Sequence, residues 1–255
     1  MGQEVSVADL LRTANPALNE SIFRGEGVGY GEGMTISGTV NKTGILLILV
    51  VASSAWTWNR FANLGPTSVM GLIGIGAIGG LIFALITVFK KTWAPVTAPI
   101  YALLEGLVLG GVSAIYELQF KGIPMQAVGL TFGTLVALLL VYRAGIIKVT
   151  DKFRLGVVAA TGGIAAFYLL TWILSFFHIA FPSIYGAGPL GIGISVVVVI
   201  VAALNLVLDF DFIESGARAG APKYMEWYAA FGLMVTLIWL YLEILRLLSK
   251  IRSRD

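Results

Sequence analysis

The sequence predicts an all-α polytopic membrane protein with seven transmembrane helices, and three observations carry that expectation. Hydrophobic residues make up 58% of the 255 residues and charged residues 12%, with a mean hydropathy of +0.90; an average soluble domain carries about 25% charge. Apolar runs of roughly 18 residues or more recur along the chain, each long enough to cross a hydrocarbon core about 30 Å thick. At that depth every backbone group must pair internally, which leaves helices or a closed barrel. The runs are too long for barrel strands and lack period-two alternation, so they read as helices.

Residues 1–40 are polar, with the glycine-rich stretch GEGVGYGEG at 25–33. They lack the basic-then-apolar layout of a cleaved signal peptide, which points to an exposed N-terminal arm. Within it NPALNESIF (15–23) suits either a short surface turn or helix or a partly disordered tail. A membrane domain over 41–250 follows, and a basic tail over 251–255 closes the chain. The seven spans fall at about 43–58, 68–89, 97–118, 123–142, 154–177, 188–213 and 224–248. The first is short, and Trp56 and Trp58 near its end suit an interfacial belt. In the second, Gly74, Gly76 and Gly79 match GxGxxG, but no strand precedes them and no acidic residue follows at the distance a dinucleotide site needs. Gly76 and Gly80 instead form a small-xxx-small face for close helix approach. Gly106 and Gly110 repeat that device in the third span, and Gly188, Gly191 and Gly193 repeat it entering the sixth.

Loop charges set an orientation. With the N-terminus cytoplasmic, the inner loops carry Lys90, Lys91, Arg143, Lys148, Lys152, Arg154, Arg218 and Lys223, and the outer loops only Arg60 and Lys121. That asymmetry favours the N-terminus inside. The basic tail (Arg246, Lys250, Arg252, Arg254) opposes it, because seven crossings leave the tail outside; a re-entrant run and six crossings would reverse that.

Acidic residues inside apolar runs are the candidates for function. A charge at a bilayer centre costs roughly 2.5–3.5 kcal/mol on insertion scales. Asp209 lies a few residues before the inner end of the sixth span, with Asn205 one turn away on the same face. Glu105 lies in the third span, in YALLEGLVLGG. Two carboxylates at such depth can share a proton, coordinate a hard cation through oxygen, or pair with a basic residue, and either could instead hydrogen-bond a neighbouring helix as a neutral acid. Asp211 points about 200° away from Asp209 around the helix and reads, with Glu214, as a solvated helix end. Glu226 opens the last span, where an acid complements the helix dipole. Glu243 shares a face with Thr236 and Trp239 and stands one turn from Arg246, so a structural pairing ranks just ahead of a direct part in transport.

Other chemistries find little support. The chain has no cysteine and a single histidine, His178, whereas zinc sites take three or four nitrogen, sulfur or carboxylate ligands. No GxSxG elbow accompanies His178, and no lysine lies in the apolar part of the last span to carry a Schiff base. An intramembrane aspartyl protease needs two apposed aspartates, and Asp211 faces away from Asp209. A net charge of +3 is small for a nucleic-acid partner. No cofactor is expected; the lipid bilayer is the expected surrounding.

NPALNESIF, MTISGTVNKTGILL, YALLEGLVLGG and, most specifically, LDFDFIE…APKYMEWYAAFGLMVTLIWLYLEILRLL resemble the Bax inhibitor-1/YccA family in a bacterial branch, across nearly the whole chain. The resemblance implies six helices in two layers around a central C-terminal helix. It also implies a pH-sensitive calcium leak in the bacterial inner membrane, governed by two aspartates on the last two helices. Asp209 matches the first and would sense ions and protons; the place of the second falls on Thr236, which cannot titrate. Glu105 or Glu226 would then supply a second carboxylate, or the gate is tuned differently. Some relatives are linked to a membrane-bound ATP-dependent protease, so a non-transporting modulator that binds other membrane proteins through the N-terminal arm is the competing expectation. A transporter of a small organic substrate ranks below both, because no paired broken helices occupy matching halves.

Overall fold

A computed structural model describes residues 33–177 and 186–254. Seven long helices build it: α1 (Ile36–Leu64), α2 (Thr67–Phe89), α3 (Ala94–Gln119, preceded by a 3-10 turn at Lys91–Trp93), α4 (Ile123–Arg143), α5 (Asp151–Ser175), α6 (Pro189–Arg218) and α7 (Met225–Arg252). Each is long and apolar enough to cross a membrane. Ile75, Ile78, Leu81, Val197 and Ile200 are exposed, a surface that lipid rather than water solvates. The protein is an all-α integral membrane protein in contact with the bilayer. Among the described residues the only sheet-like feature is an isolated bridge between Gly33 and Pro222.

The helix boundaries differ from the apolar runs where polar residues extend a helix. α1 is not short: it starts at Ile36, so residues 36–40, assigned by polarity to the arm, form its first turn. Thr35 caps it, accepting the Gly38 N–H at 3.0 Å, as an N-cap threonine does. Gly65 ends it at φ +79, a conformation that glycine adopts without strain. Thr150 caps α5 in the same way, accepting from Phe153 N–H at 3.2 Å and moving the start to Asp151. α6 runs on to Arg218, supported by an Arg218–Glu214 pair at 3.0 Å one turn apart, so the loop expected over 215–223 begins only at residue 219.

Polar side chains inside the spans return their hydrogen bonds to the preceding turn. Thr43, Thr57, Thr87, Thr97 and Thr131 donate to the carbonyls of Thr39, Ser53, Phe83, Trp93 and Ala127 at 2.7–3.1 Å, satisfying hydroxyls where water is absent.

The chain forms two compact units, each taking a part of α6 and of α7. Among the described residues, one comprises 33–126 and Phe212–Val235; the other comprises 127–177 and 186–211 and continues from Thr236 to the end of α7. In the first, glycines bring backbones together. A Cβ on Gly76 would lie 2.6 Å from the Leu104 carbonyl, and one on Gly106 the same distance from that of Val50. One on Gly110 would overlap the Ser54 carbonyl. Ser53 and Ser54 donate across the α1–α3 contact to the carbonyls of Leu103 and Gly106 at 2.7 and 3.0 Å. This close approach is what small residues permit in membranes, and it bears out the packing expected of Gly76, Gly80, Gly106 and Gly110. Gly188 and Gly193 do not repeat it, having nothing within 4 Å of a Cβ position. α7 is the most enclosed helix, with 67% of its apolar window buried against 11–50% for the others.

Candidate functional site

α6 is buried almost continuously from Asn205 to Ile213. The apolar residues Leu206, Val207, Leu208, Phe210 and Phe212 drive that burial, and Asp209 is carried in with them at 1% exposure. Its carboxyl receives a hydrogen bond from the Thr236 hydroxyl of α7, and Thr236 is itself 3% exposed. The carboxyl oxygen Oδ2 of Asp209 has no hydrogen-bond partner. One turn earlier, the Asn205 amide donates to the Thr161 hydroxyl of α5 and to the Val201 carbonyl, both at 2.8 Å. Asp209, Thr236, Asn205 and Thr161 therefore belong to one unit. Buried polar atoms are nearly always paired, so a carboxyl enclosed with an open lone-pair set is an exception. Such a group can exchange a proton or present oxygen to a passing cation.

Asp211 is not the solvated helix end that the sequence suggested. The Arg154 guanidinium of α5 pairs with it at 2.9 Å and the Tyr142 hydroxyl of α4 lies 3.5 Å away. Its opposite orientation to Asp209 was right; what lies there is protein. Glu243 pairs with Arg246 at 2.8 Å, as its spacing implied, and the Tyr168 hydroxyl of α5 joins both, 3.2 Å from the carboxylate and 2.9 Å from the guanidinium.

Glu105 and Glu226 lie in the other unit. Glu105 is half-buried and rests on the Gly80 backbone, its Oε1 2.6 Å from where a Cβ would stand. Its helix neighbour Tyr101 packs edge-on against Phe231, 5.0 Å between ring centroids. Glu226 occupies the first turn of α7 but does more than complement the dipole. It is 0% exposed and pairs with Lys42 of α1 and with Lys223. It also accepts from the Thr35 N–H at 2.9 Å and the Thr35 hydroxyl at 2.8 Å. Gly38 makes room, since a Cβ there would overlap the carboxylate. The ammonium of Lys42 also stands 5.7 Å from the Trp227 ring, within cation–π range. Two ammonium groups, a hydroxyl and a backbone N–H converge on this carboxylate and offset the cost of enclosing it, which makes it an anchor. Sequence reading missed Thr35, Gly38 and Lys42, although their i, i+3, i+7 spacing puts them on one helix face.

No group of three or more His, Cys, Asp or Glu residues among those described is placed to hold a metal ion. One carboxyl and one hydroxyl at Asp209 and Thr236 fall well short of the six to eight oxygens of a resident calcium site. In the GxGxxG stretch, Gly74 faces open space while Gly76 packs on α3, so it is a packing surface. His178 and NPALNESIF lie outside the described residues.

No curated protein and no solved structure matches the chain. A family model described as Bax inhibitor 1 like does, over residues 15–253, and the chain belongs to that family.

Proposed function

We propose that the protein is a passive, proton-modulated cation pathway that leaks calcium across a bacterial inner membrane, with its N-terminus on the cytoplasmic side. Asp209 is the residue that senses ions and protons, and Thr236 is its supporting ligand. The observation that carries this reading is the enclosed Asp209 carboxyl, bonded by Thr236 on one side and unpartnered at Oδ2. Intramembrane acids are costly and mark ion or proton paths. Proton uptake there removes the charge that attracts a cation and converts an acceptor into a donor toward its surroundings, so occupancy by a proton and by a cation exclude each other. Asn205 holds the turn before it. Glu105 is a second candidate acid, half-buried rather than fully paired, whereas the saturated partners of Glu226 and Asp211 argue for anchoring. The orientation gains support from the tail: Arg246 and Lys250 are engaged within the protein, which leaves Arg252 and Arg254 opposing the inner-loop excess.

The test is calcium entry into liposomes carrying the purified protein, between about pH 6 and 8, the range in which buried acids titrate. Wild type should leak faster than empty liposomes with a rate that depends on pH, and Asp209→Asn should change the rate and flatten the dependence. Folded wild type that leaks no faster than empty liposomes sinks this reading and leaves binding to other membrane proteins as the function to pursue.

A further inference from the structure

The hydrogen bonds between α6 and α7 fix a register. Asp209 meets Thr236, and fourteen residues away along each helix Ser195 meets Lys250, whose ammonium donates to the Ser195 hydroxyl at 2.9 Å and to the Gly191 carbonyl at 3.0 Å. The helices therefore run antiparallel in heptad step, with Ala202 level with Glu243 midway. Thr236, Glu243 and Lys250 repeat every seven residues and so share one face of α7. Asp209, Ala202 and Ser195 do the same on α6. This seam, polar except at Ala202, runs about 21 Å from Asp209 to the level of Ser195 and Lys250, at 1.5 Å per residue. Lys250 is its last buried residue, 8% exposed, and every described residue after it is exposed.

A buried ammonium held by a carbonyl and a hydroxyl oxygen has the ligands that a small inorganic cation takes in a channel. Here the cation is covalently tied to the protein. Farther in, Glu243 is tied to Arg246 and Tyr168, so the charges along the seam are Lys250, Arg246, Glu243 and Asp209.

We infer that Lys250 is a tethered-cation plug. Its ammonium occupies a cation-binding station, formed by the Gly191 carbonyl and the Ser195 hydroxyl, at the mouth of the seam that leads to Asp209, and it holds the pathway closed to inorganic cations from that membrane face. The inference rests on the cation-pathway reading of Asp209 and assigns a gate to it.

Calcium entry into liposomes tests it with wild type, Lys250→Met, Lys250→Arg and Lys250→Met combined with Asp209→Asn. Methionine keeps the length and removes the charge. Entry should rise on the order of tenfold in Lys250→Met, about the factor that one hydrogen bond to a charged group contributes to an equilibrium. Lys250→Arg should stay near wild type, and the double variant should fall back to the rate of Asp209→Asn alone. A leaking wild type with an equal rate in Lys250→Met overturns the plug and leaves the pathway reading intact. Equal acceleration by Lys250→Arg also overturns it, because shape rather than charge would then close the mouth. If neither wild type nor Lys250→Met leaks while both are folded, the pathway reading fails and the plug fails with it. Should Lys250→Met not fold, Ser195→Ala removes one oxygen of the station; a smaller acceleration supports the plug and an unchanged rate overturns it.

Discussion

Glu226 and Asp209 are both enclosed acids, 0% and 1% exposed, yet the units that hold them treat them in opposite ways. Around Glu226 two lysines, a backbone N–H and a hydroxyl converge on the two oxygens, and α1 leaves out a side chain at Gly38 to admit them. Around Asp209 a threonine hydroxyl supplies a hydrogen bond and Oδ2 is left open. Burial alone therefore does not distinguish structural from functional acids. A saturated carboxylate has nothing to exchange, whereas an unsaturated one is poised to gain a proton or a cation. The same contrast runs through the packing. The α1–α2–α3 region closes by backbone approach at glycines, while the α5–α6–α7 region carries a line of polar side chains.

The sharpest way to break this comparison is to unpair the saturated acid. Lys42→Met should lower stability by about 1.5–3 kcal/mol, the contribution of one hydrogen bond to a charged group, because Lys223 and Thr35 stay on the carboxylate; the readout is unfolding of the purified protein in detergent. A loss below about 1 kcal/mol would match an exposed pair and remove the distinction. Next in size, Gly110→Ala forces a methyl into the Ser54 backbone and should cost about 1–3 kcal/mol by overpacking. Tyr168→Phe takes one hydroxyl from the Glu243–Arg246 pair and should cost about 1 kcal/mol, because the pair itself persists. Gly74→Ala points into open space and should leave stability unchanged or raise it by up to about 1 kcal/mol, the helix-propensity gain of alanine over glycine. A Gly74→Ala as damaging as Gly110→Ala would show that glycines in this chain act through something other than close approach.

The seven helices were legible because the requirement behind them is local: each apolar run must be long enough to span, and each is. Asp209 was legible for the same reason, as a polar residue where the bilayer penalises one. Glu243–Arg246 could be read from spacing along one helix. Glu226 with Thr35 and Lys42 could not, because the partners stand 191 and 184 residues apart in sequence and no local period links them. Asp211 with Arg154, 57 residues apart, escaped in the same way and was read as solvated. The start of α1 was missed because apolarity defined it, while a threonine cap and a half-buried lysine extend it. Gly188 and Gly193 show the converse limit: glycine spacing permits close approach without requiring a neighbour to be there.

The measurement that tests the contrast most directly pairs two readouts on two isosteric variants, Asp209→Asn and Glu226→Gln: thermal unfolding in detergent, and calcium entry into liposomes. Asp209→Asn should unfold at or above the wild-type temperature and change calcium entry and its pH dependence; Glu226→Gln should unfold lower and, where it remains folded, retain a pH-dependent leak. An Asp209→Asn protein that unfolds early and leaks as wild type does, beside a stable Glu226→Gln protein with altered flux, would contradict the account.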